Sequence, residues 1–360
     1  MAIYTTINKP GDFFGQKSFT GNGSNGNAIT GLGLQPDLLH IKNTGSNGNS
    51  HIVTHTNVGL PNTLHFDANY QEAASSNKIN SFQTDGFTVQ GHSTVNENNV
   101  KMVAFGWKCN GASNSANDAS STSIGTIDTS NQFNTTSKFG MARYTGTGSN
   151  GSIKHGLGDV PSFAWFKEVG ADGEEWVIYH HKNTAAPETD YLTFENPDTA
   201  DDATIFNDTA PSSTVMTVGT NTKINGSSQT QQAWIWGTVN GYSKFGRYLG
   251  NANANGPFVN TGFTPAYIWI KKTGGADDGA VIHADILTTN NTKNTVLQTA
   301  SDEAQDVHAN YGVNFFHNGF QIVGTYNIIN ESGVEFVYAA FAKHPLVTAG
   351  TSVGHIAKGI

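Results

Sequence analysis

Three histidines, His55, His180 and His283, follow three prolines, Pro36, Pro161 and Pro265, at spacings of 19, 19 and 18 residues. An imidazole that recurs at one place suggests proton transfer near neutral pH or metal ligation. Neither motif survives in all three places, because HIVTH (residues 51–55) and HH (residues 180–181) each occur once. The expected role is a strand-end imidazole bonded to a backbone carbonyl. Asp172, Glu174 and Glu175 in DGEEW form the kind of acidic cluster that a glycosidase places across a scissile bond, or that holds a calcium ion. Adjacent Glu residues on a strand point to opposite faces, and the matching positions are GNS (48–50) and DDGA (277–280), so solvated turn acids are expected.

Other candidates carry less chemistry. GNGSNGNAITGLG (21–33) is rich in glycine but lacks the Lys-Ser/Thr and the following helix of a phosphate-binding loop, and it reads as a hairpin. Trp165 and Trp269 stand four residues past their prolines, where His40 stands in the first case; an indole there suits a core contact better than sugar stacking. The single cysteine, Cys109, excludes an intrachain disulfide and reads as a small half-buried side chain. No catalytic, cofactor-binding or metal-binding residue is therefore expected, and no cofactor.

What must position these residues is a triplicated chain. GLGLQP (31–36), GLGDVP (156–161) and TGFTP (261–265) echo one another, and an aromatic residue precedes each proline by 17: Phe19, Tyr144 and Tyr248. Phe-Gly pairs lead at Phe14, Phe139 and Phe245, and Lys42, Lys167 and Lys271 follow the prolines by six. Asn96, Asn225 and Asn330, then AFGW (104–107), AWIW (233–236) and AAF (339–341), complete the register. The expected division is an N-terminal arm 1–13, repeat 1 at 14–110, a Ser/Asn/Thr-rich linker 111–137 acting as a tether, repeat 2 at 138–241, repeat 3 at 242–344 and a C-terminal tail 345–360. Ile124 and Ile127 give the linker enough to pin one strand at most.

LLHIK, FAWFK and YIWIK are apolar on both parities and about five residues long, which fits a strand buried on both faces and not a helix. Gly, Asn, Asp and Ser fill the gaps, and proline marks strand starts. Helix is expected only as short turns at EAASS (72–76) and SDEAQD (301–306). The fold class is all-β: three tandem antiparallel β-sandwich, jelly-roll-like domains with short polar turns.

Composition narrows the partners. Charged residues make up 13% of the chain and the net charge is −9, with no basic cluster, so nucleic acid is not an expected partner. No apolar stretch approaches a membrane span, and the N-terminal residues lack the pattern of a signal peptide; the chain is expected to fold in a cytoplasm without membrane insertion.

TTINKPGDFF (5–14), FTGNG and YTGTG, GLGLQPD with IK following, SFQTDGFTV (81–89), GYSKFG (241–246) and FAKHPLV (341–347) resemble a family of virion structural proteins of marine tailed phages, such as cyanophages and SAR11 phages. The resemblance covers nearly the whole chain and is most specific at GYSKFGRYLGN and GPFVNTGFTPA. It departs at residues 40–55, which are richer in His and Asn, and at GLGDVPS, which lacks the acid after proline. It implies a tail, fibre or other particle component, sometimes labelled lectin-like, and transfers no catalytic motif. The expectations are a non-enzymatic structural protein on the particle exterior, made in the host cytoplasm, contacting other virion proteins and self-associating as a homotrimer, with residues 345–360 as a docking arm. The alternatives are an adhesin for host surface polysaccharide and a capsid decoration protein.

Overall fold

The structure, a computed structural model, describes residues 5–194, 199–274 and 279–346. It is all-β. In each repeat the first long strand (Phe14–Thr20, Phe139–Thr145, Ser243–Leu249) pairs antiparallel with the last (Lys101–Trp107, Thr230–Trp236, Glu335–Pro345). That last strand pairs on its other side with the strand after the proline (Leu38–Asn43, Phe163–Glu168, Phe263–Lys272). Each of these groups lies in a six-stranded sheet, faced by a small outer sheet built on Asn27–Thr30 with Gly86–Val89, Gly151–Lys154 with Val215–Val218, or Phe258–Asn260 with Gly319–Ile322.

The double apolar parity now has a cause. Along Phe163–Glu168, Ala164 and Phe166 face the sandwich core of repeat 2, while Phe163 and Trp165 face a second core that all three repeats share. The same split places Ile268 and Ile270 inside repeat 3 and Tyr267 and Trp269 in the shared core. The shared core also holds Phe14, Phe66 and Trp107 of repeat 1, Trp176 and Trp236 of repeat 2, and Phe245 and Phe341 of repeat 3. Trp107 packs edge-on against Trp165 and Trp236 on one side and against Tyr267 and Phe341 on the other.

The repeats close into a ring. Glu72 N donates to Val169 O (3.1 Å), Thr199 N to Thr273 O (3.4 Å) and Gln305 N to Thr44 O (3.2 Å). Each acceptor lies eight residues past its proline, so repeat 1 binds repeat 2, 2 binds 3, and 3 binds 1 through the same element. This is the head-to-tail contact that generates a closed cyclic assembly, here within one chain.

Several expectations are corrected. The 111–137 segment is no tether: Ser115–Asn117 and Thr129–Asn134 extend the repeat 2 sheet by two strands beside Phe139–Thr145. Its polar composition is tolerated because the amides are satisfied, Gln132 by Thr56 and Asn114 and Asn131 by Lys154 O. Within the expected arm, Thr6 N donates to Asn240 O, and Ile7 is buried in the shared core. Residues 21–33 cross between sheets instead of forming a hairpin, since the strand before them pairs with Lys101–Trp107 and the strand within them with Gly86–Val89. The SKFG echo is out of register: Phe139 faces Trp236, whereas Ser243, not Phe245, faces the equivalent Phe341. A slip of two preserves the strand face, so a sequence pattern with period two does not reveal it.

Residues 72–76 and 301–306 contain no helix; Ala73–Ala74 and Asp306–Val307 are strands at the sheet edges that meet the next repeat. The single helical turns lie elsewhere, including Ser93–Asn96, Thr222–Asn225 and Asn327–Asn330 just before each last strand. Pro36 and Pro161 precede their strands as expected, but Pro265 sits inside its strand at a register shift, where a missing N–H is tolerated. Residues 277–278 of DDGA and residues 347–360 of the expected tail lie outside the described residues.

Candidate functional site

Three of the recurring titratable groups, Lys42, His55 and His180, meet residues of a neighbouring repeat. His55 and His180 are the last residues, and His283 the last but one, of equivalent strands, and all three are fully buried. His180 fits the expected carbonyl bond and crosses to repeat 3: its Nε2–H donates to Tyr338 O at 3.1 Å while Nδ1 accepts from Lys182 N. His55 instead lies 3.3 Å from the Glu72 carboxylate, which also holds Arg143 of repeat 2 at 2.9 Å. His283 makes no well-formed hydrogen bond through either ring nitrogen among the described residues, and the Lys293 backbone is its nearest polar neighbour of note. Burial lowers the basicity of all three, to about 3 for His180 and His283. At neutral pH they are uncharged core residues without access to solvent.

A second pair lies at the joint between repeats 1 and 3. His40 Nε2 is 2.8 Å from His51 Nδ1, and His51 Nε2 donates to Gln298 O at 3.0 Å. Burial, reinforced by Lys42, pushes the His40 pKa down to about 3. His40 occupies the place of Trp165 and Trp269, and all three side chains are buried. The two indoles therefore serve the core, as their strand position suggested, and offer no face to a sugar.

The lysines that follow the prolines are wholly buried. Lys42 Nζ donates to Asn49 O (2.5 Å) and across the ring to Asp302 O (3.0 Å); Lys167 Nζ donates to Glu168 O and Glu174 O, both at 2.8 Å. An ammonium with three donors can gather loop carbonyls that no strand satisfies. Burial lowers the Lys42 pKa to about 8 against the pull of Asp67, Asp302 and Glu303. The carboxylates of DGEEW separate: Asp172 accepts from Gln71 N of repeat 1 at 2.7 Å, and Glu175 pairs with Lys223 at 2.8 Å. They are docking and surface groups, and among the described residues no three His, Cys, Asp or Glu side chains gather in a metal-ligating group.

Asn96, Asn225 and Asn330, recognisable in the sequence only by spacing, have a common task. Asn225 Oδ1 accepts from Thr147 N (2.8 Å) and its amide donates to Ser149 O (2.7 Å) and Gly219 O (2.6 Å). Asn330 does the same with Asn251 N, Asn253 O and Gly324 O, and Asn96 with Asn22 N and Ser24 O. A Cβ on the adjacent Gly21, Gly146 or Gly250 would overlap the carbonyl just past each asparagine. Tyr144 and Tyr248 hydroxyls donate to Ile224 O and Ile329 O beside it, a bond Phe19 cannot make.

Asp37 is a buried carboxylate that sequence spacing did not single out. It accepts from Cys109 N (2.6 Å), Ala112 N (2.9 Å), Gly111 N (3.1 Å) and Thr56 Oγ1 (3.1 Å), pinning the end of repeat 1 to the joint. Cys109 is fully buried, not half-buried, with Sγ 3.5 Å from Phe139 O, and burial pushes its thiol pKa well up.

A surface cleft of about 430 Å³ runs over the ends of the four strands that carry residues 116–117, 129–130, 143–145 and 230. No helix of the described residues is long and apolar enough to cross a membrane. No curated protein matches the chain. Residues 9–345 match the family described as a domain of unknown function, DUF7483, and the chain belongs to that family.

Proposed function

We propose that this chain is a non-enzymatic structural block on the exterior of a phage particle, associated with the tail or a fibre. The observation that carries the reading is the use made of the recurring polar side chains. The histidines, lysines and asparagines that three repeats share are all buried inside a closed ring, where a substrate would not meet them, and many of them bond across joints or staple loops. Three sandwiches fused through one aromatic core make a rigid unit with a polar, weakly charged exterior, which suits assembly by surface contact. The ring buries within one chain the apolar sheet faces that separate copies would otherwise have to cover, so a homotrimer would assemble such blocks through their polar exteriors.

The resemblance to marine phage virion proteins supplies the particle. Gradient-purified particles from cells that express a tagged chain should carry the tag on their surface in electron micrographs. A tag that stays wholly in the particle-free fraction contradicts the proposal, and labelling spread over the head would favour capsid decoration over the tail. The adhesin reading cannot use Trp165 or Trp269, which are buried, and needs a site elsewhere.

A further inference from the structure

We propose that the cleft over the added strands of repeat 2 binds a neutral saccharide. This rests on the adhesin alternative and not on the particle reading, which stands without it. The cleft exists because the 111–137 segment adds strands Ser115–Asn117 and Thr129–Asn134 beside Phe139–Thr145; among the described residues the sheets of repeats 1 and 3 begin at the equivalent of that third strand and have no such wall. Its volume of about 430 Å³ falls within the ~300–1,000 Å³ range of small-molecule sites.

The lining selects the ligand class. Asp118, Asp128, Ser130, Arg143, Thr145 and Thr230 bring carboxylates, hydroxyls and one guanidinium to the cleft, while carbon atoms make up most of the surface the lining exposes, a mixture that suits a sugar ring with its C–H faces and hydroxyl rim. An apolar ligand would strand these polar groups. A strong anion would meet two exposed carboxylates, while the one cation, Arg143, is already neutralised by Glu72 at 2.9 Å. A metal cation would find only two carboxylates, Asp118 and Asp128, because no third His, Cys, Asp or Glu side chain gathers with them among the described residues. A polyol fits, because its hydroxyls can donate to the lone pairs that Asp118 and Asp128 keep beside their internal hydrogen bonds and can accept from the threonine and serine hydroxyls. The open, strand-crossing shape suits a chain of sugar units.

The test uses the full chain and three neutral probes, maltohexaose, laminarihexaose and cellohexaose, titrated while amide resonances are followed. Saturable binding of at least one, with shifts at residues 116–118, 128–130 and 143–145, is expected. Thr145→Trp and, from the neighbouring strand, Thr230→Trp should each fill the cleft and weaken binding at least about tenfold. Thr20→Trp, at the equivalent strand end of repeat 1, should leave it unchanged. Saturation that survives both cleft-filling variants overturns the site while leaving an adhesin with a site elsewhere; no saturable binding of any probe overturns the site and removes its support for the adhesin alternative.

Discussion

Gln305 donates its backbone amide to Thr44 O at 3.2 Å and so ties the third repeat back to the first. Equivalent bonds from Glu72 to Val169 O and from Thr199 to Thr273 O make this the last link of a cycle and not an isolated contact. Gln305→Pro removes the donor without touching the aromatic core and should cost about 1–3 kcal/mol in denaturant unfolding. Amide exchange should accelerate first in Leu38–Asn43, on the repeat 1 side of that joint. Exchange that rises only locally around residue 305 would show that the bond carries no coupling between repeats.

The buried asparagines should be worth more than their surface neighbours. Asn225→Ala abandons one backbone donor and two backbone carbonyls, a loss of about 2–4 kcal/mol, and Asn330→Ala should match it because its three bonds are equivalent. Gly146→Ala should destabilise comparably by pushing the turn off the Gly226 carbonyl, whereas Gly11→Ala, with open space around it, should be neutral. Urea midpoints of the four variants check the set. A near-neutral Asn225→Ala would mean that water replaces the amide at little cost.

The buried histidines predict how stability depends on pH. His40, His180 and His283 have folded pKa values of about 3, below the ordinary 6.5, because burial disfavours the charged ring. Above pH 6.5 they are neutral in both states and have no effect. Between pH 6.5 and about 3 the unfolded chain binds protons that the folded chain refuses, so stability falls on the order of 1 kcal/mol per pH unit for each group. His283→Leu removes an imidazole that makes no well-formed hydrogen bond among the described residues and should therefore change little at pH 7 while raising the urea midpoint at pH 5 relative to the parent. Equal midpoints for parent and variant at pH 5 would contradict the assignment.

Asp37 should hold the exit from repeat 1. Asp37→Ala leaves the amides of Cys109, Gly111 and Ala112 without their acceptor and should loosen residues 109–114, exposing the otherwise buried Cys109 thiol to a thiol reagent. An unreactive thiol in a folded Asp37→Ala protein would show that packing against Phe139 alone holds the segment.

Much of the fold was legible because short strands write themselves in period two and turns in Gly, Pro and Asn. Phe163–Glu168 read correctly as buried on both faces, and the spacing of Tyr144, Lys167 and Asn225 correctly marked equivalent positions. What lay behind the second face was not legible: nothing local distinguishes Trp165 facing a shared core from Trp165 facing a ligand. Residues 111–137 misled because Gln132 and Asn131 count as loop formers by composition, yet in the fold their amides find partners, Asn131 on Lys154 O of repeat 2 and Gln132 on Asn114 and on Thr56 of repeat 1. Residues 5–13 misled for the same reason, since a single Ile7 shows no periodicity and gains its burial from the shared core. The cleft could not be foreseen, because it is made by strands that the composition assigned to a linker.

The central claim is that three repeats form one ring with a common aromatic core, and Trp165 is its most direct probe. Trp165→Ala should cost about 3–5 kcal/mol. Residue-resolved hydrogen exchange through a denaturant series should show that loss in Leu38–Asn43, Phe163–Glu168 and Phe263–Lys272 alike, with all three opening together. A loss confined to residues 138–241, with the flanking repeats opening at their former midpoints, would show three independent sandwiches and contradict the ring.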